Sequence, residues 1–167
     1  MSRWLIVFAG AVAASLALGA QDHNEARTAG QADAMEARLF PPGQIKWTDG
    51  PPSLPRGSQV AVLEGDPAKE GPFVFRLKFP DGYRVPPHTH PKTERVTVLA
   101  GTLQFGMGKK FDPQATKPLT AGTFGYWPAG MAHFAYAKGE TVLQLHGTGP
   151  WSINYIDPAD DPRNAKR

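Results

Sequence analysis

Cysteine is missing altogether, which rules out disulfides, a lipoprotein attachment site and any cysteine nucleophile. Stability must then come from a packed core, helped by a metal where one binds. Charge of one sign is also scarce: 18 basic residues face 15 acidic ones over 167 positions, and the two are interspersed. With no Lys/Arg stripe and no basic helix, a nucleic-acid partner is excluded. Nothing resembles a Ser/His/Asp hydrolase, a phosphate-cradling glycine loop or a cofactor fingerprint. The apolar run from Trp4 to Leu18 is too short and too rich in Ala and Gly for a comfortable membrane span. It follows a basic start at Arg3 and leads to Leu18-Gly19-Ala20, so residues 1–20 read as a cleaved secretory signal. The mature protein is therefore expected to be periplasmic or secreted, with no membrane partner after cleavage.

What is abundant is punctuation, with 18 Gly and 17 Pro. Residues 21–57 read as a polar, Ala-rich leader followed by a Pro/Gly-rich lead-in that cannot be a helix. If cleavage follows Ala20, the new terminus Gln21-Asp22-His23 offers a square-planar site for Cu(II) or Ni(II). From residue 58 to 156 short strands alternate with Gly/Pro turns. They run over 58–64, 72–79, 84–90, 94–100, 102–106, 123–127, 133–137, 141–146 and 152–156, with Phe73, Phe75, Leu77 and Phe79 sharing one face. This pattern predicts an all-β, antiparallel sandwich or barrel. Residues 105–118 form the longest loop, a mobile surface segment or a flap. The polar tail, 157–167, is expected to fray.

The chemistry concentrates in two stretches. In the first, His88 and His90 are two residues apart in an extended segment stiffened by Pro86 and Pro87. Side chains alternate along a strand, so both imidazoles face one way and can share an ion. Glu94 keeps the same parity, provided that Pro91 bends the chain without reversing it. In the second stretch, Pro128 and Gly130 fit a type I turn that brings His133 in from another strand. Three imidazoles and a carboxylate suit one divalent transition metal: Fe, Mn, Co, Ni, Cu or Zn.

These stretches resemble the two signatures of the cupin superfamily. Gly82, His88, His90, Glu94 and Gly101 occupy the first signature, and Gly122, Pro128, Gly130 and His133 occupy the second. The one departure is Ala137, where the family often has Asn. The resemblance implies a jelly-roll barrel (a double-stranded β-helix) with the metal inside, held by His88, His90, Glu94 and His133. It also implies pairing of two copies through edge strands. Cupins span oxygenases, isomerases and lyases as well as non-catalytic binders, so the fold does not choose the reaction. A metal-dependent enzyme acting on a small oxygenated molecule is one expectation; a metal or small-ligand sensor is the other. Phe73 or Phe75, Phe105, Phe124 and Tyr126 are candidate pocket aromatics. His146, in step with Gln144, is the candidate proton shuttle if that face of its strand looks inward. Tyr83 and Gln104 are weaker candidates for a catalytic role.

Overall fold

The computed structural model describes residues 37–165. The expected signal segment, most of the leader and the Gln21-Asp22-His23 motif lie outside these residues. Nine antiparallel strands make up the fold: β1 (Thr48–Asp49), β2 (Gln59–Glu64), β3 (Gly71–Phe79), β4 (Arg84–Thr89), β5 (Glu94–Met107), β6 (Thr116–Thr120), β7 (Phe124–Trp127), β8 (His133–Gly149) and β9 (Asn154–Tyr155). Helix among the described residues is confined to three-residue 3-10 turns. The all-β jelly roll expected from the sequence is what the chain forms.

Two long strands build the closure. The first half of β8 pairs with β4 and with the second half of β5, while its second half pairs with β3 and with the first half of β5. Each strand thus starts in one sheet and ends in the other. The sequence reading split both into shorter strands, at Gly101 and at residues 138–140. The chain bends there without breaking. Gly101 has φ +74° and lies so close to Thr141 and the Glu140 carbonyl that a Cβ would sit 2.2 Å from that oxygen. Only glycine allows the two strands to cross so closely while turning the corner.

Alternation fills the space between the sheets. On β3, Phe73, Phe75, Leu77 and Phe79 are all buried, and on β8 so are Ala135, Ala137, Leu143 and Leu145. Each of the larger side chains contributes roughly 1.5–3 kcal/mol on burial, so this inner layer supplies the stability that disulfides do not.

Three segments depart from expectation. Both ends of the loop placed at 105–118 are strand: β5 runs on to Met107, and β6 pairs with it from Thr102↔Thr120 to Gly106↔Thr116. Its residues are exposed or half-exposed, so no inward-outward alternation marks it in the sequence. The lead-in contains β1, which extends the sheet beyond β2. The tail is held rather than frayed. Asp157 and Asp161 cap two 3-10 turns that each begin with proline, and Arg163 donates to the Ile153 carbonyl at 3.1 Å.

Candidate metal centre

The three imidazoles arrive from two strands and the corner after one of them. His88 lies on β4 directly opposite His133, the first residue of β8. The β4–β8 register slips between Val85 and His88, so Pro86-Pro87 forms a bulge that lets Val85 and His88 both face inward. His90 follows the end of β4, in the corner before β5. Glu94 opens β5, so its facing is set by a new strand and not by parity carried through Pro91. The turn before His133 also differs from expectation. The Met131 N–H donates to the Pro128 carbonyl at 3.1 Å, and Gly130 has φ +76° while, among the described residues, no other residue type has positive φ. That is a type II turn, for which glycine at the third position is required. Its Gly130 N–H donates to the His90 carbonyl at 2.9 Å, which locks the two motifs together.

One ring nitrogen from each of His88, His90 and His133 falls within a group whose members lie within 4.8 Å of one another. The Glu94 Oε2 lies 3.2 Å from His90 Nε2 and 3.1 Å from His133 Nε2. The carboxylate thus reaches two of the three rings. All four side chains are buried.

Each ring is oriented from behind by a backbone carbonyl. His88 Nδ1 faces Pro86 O at 2.6 Å, His90 Nδ1 faces Ser152 O at 2.8 Å, and His133 Nδ1 faces Met131 O at 3.0 Å. A carbonyl only accepts, so each Nδ1 carries the proton and each Nε2 is left with a lone pair. Carbonyl-anchored imidazoles of this kind are the usual outer support of a metal ligand. Burial, with His133 and His90 alongside, pushes His88 down to about 3, so it is neutral at ordinary pH. His90 Nε2 and Glu94 Oε2 are both buried without a hydrogen-bond partner. Lone pairs this close to a carboxylate repel unless positive charge stands between them. The donor set fits a borderline divalent cation.

The centre opens into a cavity of about 380 Å³. Most of its wall is apolar, including Leu77, Leu103, Phe105, Trp127, Leu143 and Leu145. Trp151 stacks on His90 with ring centroids 4.3 Å apart and planes at 18°. Phe105 stacks on Trp127 at 4.2 Å, and both rings lie about 6 Å from His133 (5.6 and 6.0 Å). The lead-in supplies part of the wall through Pro51, Ser53 and Leu54. It is pinned there by two tyrosine hydroxyls. Tyr83 donates to the Pro55 carbonyl at 2.5 Å and Tyr155 to the Ser53 carbonyl at 2.8 Å.

The other expected site residues lie elsewhere. Gln144 and His146 are on the outward face of β8, because Leu143 and Leu145 take the inward positions. Gln144 accepts from Arg76 Nε at 3.1 Å, and His146 stacks over Phe124 at 6.2 Å. Neither lines the cavity. Phe124 and Tyr126 are 55% and 64% exposed, since Trp127 and Glu94 hold the inward register of the β5–β7 pair. Gln104 bonds Thr116 across the β5–β6 hairpin. Tyr83 is buried against Phe79, and burial raises its hydroxyl to about 12. It serves as a clamp on the lead-in and not as a group beside the imidazoles. Phe75 and Phe105 do line the cavity, whereas Phe73 packs behind it against Trp151. The sequence reading missed Trp151 and the Ser152 carbonyl. A backbone acceptor leaves no trace in sequence, and a tryptophan just outside both signatures carries no sign of what it stacks on.

The match to the model titled "Domain of unknown function (DUF4437)" spans residues 46–166. The chain belongs to this family, and its fold is the cupin fold. The match takes in β1 and the 3-10 turns of the tail as well as the longer strands. Among curated proteins, germin-like protein 5-1 of Oryza sativa subsp. japonica is 39% identical over 90 residues, covering 53% of this chain and 40% of that protein. Germin-like protein subfamily 2 member 1 of Arabidopsis thaliana is 32% identical over 122 residues, covering 72% and 54%. The chain thus spans about half the length of these relatives. The fold is also that of the polyketide cyclase RemF from Streptomyces resistomycificus (TM-score 0.59, 14% identity, covering 76% of this chain and 90% of that one). An acetylacetone dioxygenase from Acinetobacter johnsonii shares it too (TM-score 0.57, 16% identity, 75% and 80%).

Proposed function

We propose that this DUF4437 cupin holds one divalent transition metal ion through His88, His90, His133 and Glu94, and works as a metal-dependent enzyme on a small oxygenated organic molecule. The observation that carries this reading is the cluster of buried, carbonyl-anchored imidazoles whose free nitrogens meet an unpartnered carboxylate at the wall of a ligand-sized cavity. When bound, such an ion supplies Lewis acidity toward an oxygen of the ligand and, if redox-active, a route to dioxygen chemistry. The chain's own residues orient, shield and neutralise. The three carbonyls fix the rings, Trp151 covers His90, and Glu94 offsets one positive charge. Two proteins of the same fold, a dioxygenase and a cyclase, support enzymatic use of the same barrel. The basic start, apolar run and Ala20 of the sequence support action after export, in the periplasm or outside the cell.

A second reading has its own support. Among the described residues, the cavity wall offers no histidine or lysine beyond the cluster to act as acid or base, which suits a binder of metal or small ligands. Oxygen uptake by Fe(II)- or Mn(II)-loaded protein separates the two, using phenolic and enolic compounds in large excess. Multiple turnovers that disappear in His133→Ala establish the enzyme. Stoichiometric binding without turnover, for every metal and compound class, would establish the binder.

A further inference from the structure

The polar groups around the cavity are few and mostly engaged. Asp66, at the wall with Pro67 and Ala68, accepts from the Ala68 N–H at 2.9 Å and pairs with Lys69 at 3.1 Å. The carbonyls of Ser53 and Ser152 are taken by Tyr155 and His90. Besides the two serine hydroxyls and two indoles, the remaining polar side chains are the metal cluster itself. Among the described residues, no lysine, arginine, asparagine or glutamine lines the cavity. A ligand therefore meets a single strong polar anchor, with apolar surface nearly everywhere else.

From this wall we infer that the ligand is uncharged away from its metal-binding head. Its oxygen-bearing end meets the His88/His90/His133 cluster, and a compact hydrocarbon or aromatic body fills the rest. Size follows from the same cavity. A dry space of about 150 Å³ accommodates benzene, so about 380 Å³ accommodates a body of roughly fifteen non-hydrogen atoms at that density. A carboxylate on that body would lose its water and find no cation, a penalty that hydrocarbon does not incur. Dicarboxylic acids and acidic sugars are thereby rejected, as are polyols, whose hydroxyls would go unpaired. This inference rests on the metal-site reading for the head group and on the wall alone for the body.

Two catechols of similar size separate these parts. They share the chelating head, but 4-tert-butylcatechol carries a neutral apolar tail and 3,4-dihydroxybenzoate a charged one. Binding is measured by anaerobic titration calorimetry on the full chain loaded with Zn(II), which is redox-inert, and again on metal-free protein. The expected result is at least tenfold tighter binding of the tert-butyl compound to the zinc form. Equal affinities, tighter binding of the acid, or binding of neither compound would overturn the inference. The metal-free arm reports on the head-group reading separately. A preference that persists at undiminished affinity without zinc keeps the apolar body and removes the metal as anchor. Preference together with a loss of affinity on metal removal supports both.

Discussion

Two histidines on the same strand have opposite situations. His133 opens β8, is 2% exposed, and has one nitrogen tied to Met131 and the other aimed at Glu94. His146, near the far end, looks outward over Phe124, in register with Val74 on one side and Arg95 on the other. Residue type and strand are the same, so facing alone separates a candidate ligand from a surface group. The difference shows what the barrel contributes to chemistry: a dry side, where an unpaired nitrogen must find a cation, and a wet side, where water satisfies it.

The largest expected effect tests that contrast directly. His133→Ala removes a nitrogen that nothing nearby can replace, and metal affinity should fall by at least a hundredfold. His146→Ala should change it less than twofold. Competition with a chromophoric chelator, read alongside elemental analysis, measures both; comparable losses in the two variants would erase the distinction between the faces.

Acid attacks the same dry side. In the metal-free protein, His88 is pushed down to about 3 when folded, against about 6.5 in an unfolded chain. Between these values the unfolded state binds a proton that the folded state does not, so stability rises with pH. Stability should be fully present above about pH 6.5 and fall progressively toward pH 3, by ~5 kcal/mol at most from this group. Denaturant melts across the window would show the slope, and His88→Gln should flatten it. With metal bound, the onset moves to lower pH, because ligation and protonation compete for the same nitrogen.

Packing gives the third comparison, between neighbours. Leu145 is buried and Gln144 is not, so Leu145→Ala should cost about 2–5 kcal/mol. Gln144→Ala loses one bond to Arg76 and should cost ~1 kcal/mol or less. Thermal melts of the two variants decide it. Near-equal costs would mean that the alternation along β8 has been misassigned.

The same alternation explains what could be read in advance. Both signatures are visible because ligand spacing and turn glycines are fixed by geometry, and three imidazoles with a nearby carboxylate do gather where those stretches meet. The inward register of β8 was also present in Leu143 and Leu145. It was blurred by Val142, an apolar residue of the opposite parity, and by Lys138-Gly139-Glu140, which reads as a turn across which parity is lost. In the structure 135, 137, 141, 143 and 145 all point inward, so the strand bends from one sheet into the other without changing step. The tail was legible too. Asp157-Pro158 and Asp161-Pro162 are each an N-cap followed by proline at the first helical position, but a polar segment at a chain end invites the expectation of fraying. Carbonyl anchors and the stacking of Trp151 were not legible, because they depend on segments distant in sequence meeting in space.

The smallest effect concerns Tyr83, a weaker catalytic candidate from the sequence and found clamping the lead-in. Its hydroxyl and that of Tyr155 hold carbonyls of Pro55 and Ser53, on the stretch that contributes Pro51, Ser53 and Leu54 to the cavity wall. Tyr83→Phe keeps the ring against Phe79 and removes one hydrogen bond, which should cost about 1 kcal/mol. Metal content should not change, since no ligand contact is touched. The proteolytic susceptibility of residues 50–57 should rise, because the open form of the segment gains population as its clamp weakens. Limited proteolysis with and without a cavity-filling catechol reads this out. Should Tyr83→Phe instead deplete metal while leaving the lead-in protected, the tyrosine would belong to the site after all, and the inner and outer faces would not be the whole account of which side chains support the chemistry.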